Sequence, residues 1–579
     1  MAKKQANICV IPGGSSSEWL QVPADAFARL KRLLNWDARL YLTPSEFARV
    51  FQIGYAEESF TGSETVISHL IARLQHAGAA YKRSGYFAIC GKCGLYNPGN
   101  LQCSHCGGAI VQAEREGYYL RVQRCAQDIL KLAAEDNLVL PLYQRGYVIN
   151  SIRNLKEEDV LIALRVTRAK HKYLPAQWFG ALAAVLSGCG YPGDEGGFQR
   201  AWAYSFFYIP LDLLSYIFYW CGVLLALNLP KPGGFFCHST INILDRREQE
   251  VSPLLLAQNY GQESIRYLLL AEKTASGETR FSEHQAIQRI NHDLANELGN
   301  LVSRVISMVS RYAGEMVPPP NILTRQNADL ELRERALDTP KKVEHYISCQ
   351  EFSQAIKVIQ NLVSATNRFI ATTAPWQLAS TGKQPGRLNT ILYNICEALR
   401  FIAIALKPIM PEAAHNILGQ LGLDTIPALC TWNSLEQWGL LPVGTKIFQR
   451  PALFPRIVPG YSGAGPEQDL ILREELARIS MVVARILAAE AVAEYEGLLH
   501  LILYDGRQRY SVLAPVARSY QPSALEGKKI ILLSNLRPTE VEGFSNEGEV
   551  LVLEPETGNL RLIFVDEDIM EGSKVLCLS

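Results

Sequence analysis

The hydrophobic period changes twice along this chain, and the three stretches so marked off cannot share one architecture. Up to about residue 281, apolar runs alternate with helical patterns, beginning with Asn7 to Ile11, the turn Pro12-Gly13-Gly14-Ser15-Ser16-Ser17, a helical pattern from Asp25 to Leu34, and a second run from Ala38 to Leu42. Strand, glycine turn, helix and strand form the opening unit of a Rossmann-type α/β sheet. From Ser282 to about Phe454 helical periodicity dominates, broken at Pro318-Pro319-Pro320 and Pro375, which predicts an α-helical bundle. The stretch from Pro455 to Pro466 is dense in proline and glycine and reads as a linker. Beyond it a helix is expected first, and then the short runs Leu499–Tyr504, Lys529–Leu533, Glu549–Leu553 and Arg561–Val565, separated by turn residues, suit a small β-barrel. The expected domains are therefore a Rossmann-like core over 1–281 with a glycine- and cysteine-rich insert at 85–110, a helical bundle over 282–454, a linker over 455–467, and a barrel over 468–579.

A chain of 579 residues has room for several domains at about 100 to 200 residues each. No run approaches the ~20 apolar residues of a membrane span. Only four apolar residues, Ile8 to Ile11, precede Pro12, too few for a secretory segment, so a cytoplasmic protein with no membrane partner is expected. Lysine plus arginine balances aspartate plus glutamate at 57 each, which excludes nucleic-acid binding by bulk charge and requires any such contact to come from a local patch. The odd number of cysteines, thirteen, mostly scattered in apolar stretches, fits a reducing compartment.

Four of those cysteines stand apart. Cys90-Gly-Lys-Cys93 and Cys103-Ser-His-Cys106 repeat one spacing across nine intervening residues, with glycines that permit the tight turns of two facing knuckles. That pattern predicts one zinc ion held by four thiolates. With four protein ligands no position remains for water, so the expected role is structural. His105, between two ligands, reads as a surface residue.

The order of these parts resembles that of bacterial methionyl-tRNA synthetases with an appended tRNA-binding domain. The resemblance runs nearly the full length and is most specific at Trp178–Leu186 with Gly190-Tyr191-Pro192, at Phe235–Ser239, at Asn259–Leu270 and at Arg289–Arg304. It implies a Rossmann core with a zinc knuckle, an anticodon-binding bundle and a C-terminal OB-fold. The signatures with which class I synthetases grip ATP are missing. Where His-x-Gly-His is expected the chain reads Gly14-Ser15-Ser16-Ser17, and the Lys-Met-Ser-Lys-Ser loop falls around Ile241 to Glu250, in a stretch with no lysine between Lys231 and Lys273. The methionine pocket survives as remnants. Trp178, Asp212 and His238 match family positions, whereas Gly180, Ala184 and Val185 stand where an aspartate, an asparagine and a tyrosine are usual.

The RNA-facing positions are better kept. In the family, an asparagine and an arginine four apart on one helix and a tryptophan on another receive a CAU anticodon, and Asn300, Arg304 and Trp376 match them. Each also has a plain structural alternative: a helix contact, a surface cation, a core indole. In the last domain Thr539-Glu540-Val541-Glu542 and Asn546-Glu547-Gly548-Glu549 replace a basic stretch, which weakens a phosphate grip and leaves homodimerisation as the better-kept role. The favoured expectation is a catalytically silent synthetase-family protein that binds tRNA or a protein partner. The alternatives are an ATP-dependent ligase that condenses another carboxylate in a rebuilt pocket and, last, an active methionine–tRNA ligase.

Overall fold

Five parallel strands organise the first part of the chain: β1 (Gln5–Val10), β2 (Asp37–Tyr41), β5 (Val139–Leu140), β8 (Ser205–Pro210) and β9 (Gly234–His238), in the order β2-β1-β8-β9-β5. The computed structural model describes residues 4–11, 19–42, 45–53, 64–92, 102–103, 106–122, 125–135, 138–154, 159–165, 173–193, 195–210, 213–238, 241–244, 250–271, 279–457, 480–492, 497–536, 538–541, 544–553 and 560–575. It forms two units, Met1–Ala464 and Gly465–Ser579. Strand β1 lies inside the sheet, with Ile8 opposite Leu40 on one side and Phe206 on the other. Every residue of β1 after Gln5 is buried, as an unbroken apolar run requires when helices cover both faces. Helix α1 (Gln21–Leu33) provides the crossover to β2.

A second sheet is antiparallel. Strands β3 (Ala80–Cys90) and β4 (Ile110–Leu120) pair from Ala80↔Leu120 to Cys90↔Ile110, and β6 (Val160–Arg165) and β7 (Tyr173–Pro175) extend the sheet beyond β4. The far end of this long hairpin carries the cysteine insert. Two further short strands, β10 (Ile241–Leu244) and β11 (Thr279–Ser282), pair in parallel.

The helical part starts where the hydrophobic period changes. The Ser282 hydroxyl accepts the Gln285 amide and the Gln285 side chain accepts the Ser282 amide, a reciprocal cap at the start of a helix. With α2 (Gln177–Gly188) and α3 (Gln262–Ala271) before it, the helices continue as α4 (Glu283–Ile290), α5 (Asn300–Ala313), α6 (Asn327–Ser348), α7 (Phe352–Thr373), α8 (Pro375–Thr381), α9 (Pro385–Leu406) and α10 (Pro411–Gln420). Among the described residues only α9 is long and apolar enough to cross a membrane, and 94% of its most apolar window is buried at the centre of the bundle. Inside it, Arg400 and Glu397 are fully buried and bonded to each other at 2.8 Å, and Glu397 also accepts the Gly439 and Leu440 amides.

The second unit is an antiparallel sheet built on β12 (Met481–Ala491), which pairs with β13 (Leu499–Tyr504) on one side and β15 (Lys529–Leu533) on the other, while β14 (Arg509–Ala514) pairs with β13. A bulge between Ile486 and Ala488 bends β12. The runs at 549–553 and 561–565 each form two short strands. The expected opening helix of this unit, before residue 480, lies outside the described residues.

The parallel sheet and the bundle are joined through side chains. Glu263 on α3 is 8% exposed, and its Oε2 accepts the Ala413 amide at 3.0 Å in the first turn of α10. Burial pushes this carboxyl from 4.5 up to about 7, against the opposing effects of the Ala413 amide and Arg266. Between those two values the folded protein holds a proton that the unfolded chain has released, so stability should fall as the pH rises from about 5 to about 7 and then level off. Glu263→Gln keeps an acceptor for Ala413 and removes the titration. Its melting temperature should change less than that of the wild type between about pH 5 and 8, and parallel profiles for the two proteins would refute the assignment.

Candidate nucleic-acid interface and metal cluster

Helix α5 turns Leu301, Val302, Val305, Ile306 and Val309 into the core. Asn300 and Arg304, on the other side, are exposed. Trp376 is the second residue of α8, which begins directly after Ala374, a left-handed residue (φ 41°) that breaks the chain away from α7. A proline at the first helical position then fixes the entry of α8. Trp376 is 41% exposed, an unusual state for a large indole inside a well-packed bundle. Among the described residues none of the three makes a side-chain hydrogen bond, ion pair or ring contact. The Trp376 indole is therefore partly enclosed with no partner for its N–H among the described residues, and the Asn300 amide is not used to hold a neighbouring helix.

The cysteine insert also converges. The thiol sulfurs of Cys90, Cys103 and Cys106 lie within 4.8 Å of one another, and Cys90 Sγ is 3.4 Å from Cys106 Sγ. Four thiolates at ~2.3 Å from a zinc ion stand about 3.8 Å apart, so the observed spacing suits a shared metal. The turn that makes it is closed by two backbone bonds, from the Gly107 amide to the Cys103 carbonyl and from the Cys103 amide to the Gly108 carbonyl, each 2.8 Å. Gly107 is left-handed (φ 66°), and a Cβ on Gly108 would stand 2.9 Å from Cys90 Sγ. The two glycines are thus required by the sulfur cluster itself. The Lys92 amide donates to Cys90 Sγ at 3.4 Å. Cys93 lies outside the described residues.

The carboxyl ends of parallel strands, where nucleotides bind in open α/β sheets, lead here into segments outside the described residues: 12–18 after β1, 211–212 after β8 and 239–240 after β9. Asp212 falls in one of them, and the side chain of His238 is likewise outside. Trp178 is described, and it is a core residue. It is 5% exposed, its indole N–H donates to the Leu161 carbonyl at 2.9 Å, and its ring lies 5.0 Å from that of Tyr219. Leu244 at the end of β10 forms an antiparallel bridge with Glu250, and residues 245–249 lie outside the described residues. A cavity of about 570 Å³ lies elsewhere, between the α3 end and α10, lined by Gln258, Glu263, Asn416 and Arg456 among others.

In the second unit, part of the acidic stretch serves the fold. Glu547 accepts the Ser511 amide and Asn546 accepts the Leu513 amide, both at 3.0 Å, fastening that segment to β14.

A parallel nucleotide-type sheet with a cysteine-bearing hairpin, a helical bundle, and a separate antiparallel unit together match the class I aminoacyl-tRNA synthetase architecture. Residues 76–306 match the family described as tRNA synthetases class I (M), and residues 481–574 match the putative tRNA binding domain. The chain belongs to the methionine–tRNA ligase family: it is 30% identical to the methionine–tRNA ligase of Caldanaerobacter subterraneus subsp. tengcongensis, with 96% of each chain covered. It is 25% identical to that of Thermotoga maritima, over 96% of this chain and 97% of the relative. The fold is similar to that of the apo Mycobacterium tuberculosis methionyl-tRNA synthetase, with a TM-score of 0.67 at 23% identity, covering 79% of this chain and 99% of that one.

Proposed function

We propose that this protein is a synthetase-family tRNA-binding protein that does not activate methionine. The observation that carries the RNA half of this reading is the exposed, unpartnered set Asn300, Arg304 and Trp376. A guanidinium plane and an indole stack on unpaired bases, and a carboxamide distinguishes their edges. With a neutral chain and a last domain rich in carboxylates, specificity on this reading comes from stacking and base edges more than from phosphate contacts. The preferred RNAs are tRNAs with a CAU anticodon. A protein partner and a homodimer through the last unit belong to the same proposal.

The catalytic half rests on chemistry. Adenylate formation needs donors where charge develops on the triphosphate, and each such donor is worth about 3 kcal/mol in comparable sites. Serines and glycine in place of two histidines, and a lysine-free loop in place of two lysines, withdraw several at once. The Trp178 indole, bonded to a backbone carbonyl, has no donor left for a ligand.

Cys90, Cys103 and Cys106, with Cys93 as the fourth ligand, are proposed to hold one structural zinc ion, which neutralises the thiolates and ties the hairpin end. Purified protein should then carry about one zinc per chain, and Cys103→Ser should lose it. Protein isolated without zinc, or a variant with unchanged zinc content, would overturn this.

Methionine-dependent exchange between ATP and pyrophosphate should stay at background. Clear exchange with methionine would sink the silent-enzyme reading, and exchange with a different carboxylic acid would replace it by the rebuilt-pocket ligase.

Trp376→Ala should weaken binding of a CAU tRNA by about 1 to 3 kcal/mol, the usual cost of losing one stacking partner. Filter binding at two salt concentrations measures this. Equal affinities for CAU and non-CAU tRNAs, unaffected by Trp376→Ala, would mean the three residues do not read RNA and would favour a protein-binding role.

A further inference from the structure

Nine residues of π-helix, Asn291–Gly299, run directly into Asn300 at the start of α5. A π turn is wider than an α turn, so this stretch sets the angle at which α5 presents its faces. Long π stretches are rare because their backbone bonding is poorer than that of an α-helix, and one that persists is held by its surroundings. Here it is fastened at both ends.

At the start, Asn291 forms two bonds with the backbone of Ile457, donating to its carbonyl and accepting its amide, both at 2.7 Å. Asp293 accepts the Tyr267 hydroxyl at 2.6 Å. At the far end, Asn367 on α7 donates from Nδ2 to both the carbonyl and the carboxylate of Glu297, each at 3.3 Å. The Glu297 carbonyl also accepts the backbone amide of Asn300. One oxygen atom therefore links the Asn367 side chain to the residue that opens the RNA-facing helix. Gly299 completes the fit, since a Cβ there would stand 3.0 Å from the Leu294 carbonyl oxygen. Asn367 lies on the same helix whose end, at Ala374, turns the chain into α8 and Trp376.

We propose that Asn367 is a positioning residue for RNA recognition: by holding Glu297 it fixes the π register, and so the relation of Asn300 and Arg304 on α5 to Trp376 beyond α7. This rests on the RNA-binding reading above. Asn367 need not touch RNA, because its two donors are already spent on Glu297.

The test uses the full-length protein and anticodon stem-loop RNAs that carry CAU or GAU. Asn367→Asp keeps the shape, removes both donors and sets a carboxylate against that of Glu297. It should reduce the preference for CAU over GAU by roughly tenfold, the scale of losing two hydrogen bonds, and speed amide hydrogen exchange in residues 291–304. Glu297→Gln alone keeps an acceptor and should leave both readouts near wild type. In the variant that combines Asn367→Asp with Glu297→Gln, the carboxamide introduced at position 297 can donate to the carboxylate introduced at position 367, and most of the preference should return. A wild type that prefers CAU beside an Asn367→Asp variant that prefers it equally would overturn the positioning role. So would a uniform loss of affinity for both RNAs with a lowered melting temperature, which is what mere support of the bundle would produce. A wild type with no preference at all, unmoved by Trp376→Ala, would instead overturn the RNA reading itself and this proposal with it.

Discussion

Arg266 holds the first unit together. Its guanidinium is almost wholly buried and reaches three separate parts of the fold: Asp25 on α1 at 2.8 Å, the Phe51 carbonyl after β2 at 3.4 Å, and the Ile409 carbonyl between α9 and α10 at 3.1 Å. A buried charge is tolerated only when its partners are in place, and removing one partner of such a pair costs about 3 to 5 kcal/mol. The arginine thus forces the parallel sheet, its first crossover helix and the bundle to form in register with one another. Glu263, one helical turn earlier on α3, makes a second tie to α10. Apolar packing alone would hold these layers together less selectively, because oily surfaces slide where fixed hydrogen-bond geometry does not.

Features with a short-range cause were legible in the sequence. The cysteine cluster follows from two repeated spacings and the glycines that turn between them, and Ser282 caps a helix where the period changes. The runs Leu499–Tyr504 and Lys529–Leu533 alternate or carry β-branched residues, and both are strands over those same residues. The strand that organises the second unit, Met481–Ala491, was not among the β-rich runs. Its alanines carry little strand preference, and its place in the sheet is decided by two neighbours that pair with it from later in the chain.

The candidate RNA face divides in the same way. Asn300 and Arg304 are four residues apart, so their shared side of one helix is a local fact. The π stretch before them looks like ordinary helix in sequence, since Asn291 to Gly299 carries no proline. It is bonded to residues distant in the chain: Ile457, Tyr267 and Asn367. No spacing rule links position 297 to position 367, and only the packing of α7 against this segment makes Glu297 and Asn367 partners.

On the proposed reading, that division also explains how one fold could lose its chemistry and keep a binding face. In open α/β sheets, ligand-binding groups sit on loops beyond the carboxyl ends of strands, where the core does not depend on them. Replacing them costs the fold little. An RNA-facing residue on a packed helix is different, because its direction is set by buried neighbours that the fold cannot give up. Leu301, Val302 and Val305 hold α5 whatever Asn300 and Arg304 do, and Asn367 holds Glu297 whether or not RNA is present. On the proposed reading, selection for stability alone preserves the aim of these side chains, so only their identities need a functional reason to persist. Trp376 is the sharpest instance. Its indole is 41% exposed, so the fold encloses one part of the ring and leaves another open to a stacking partner.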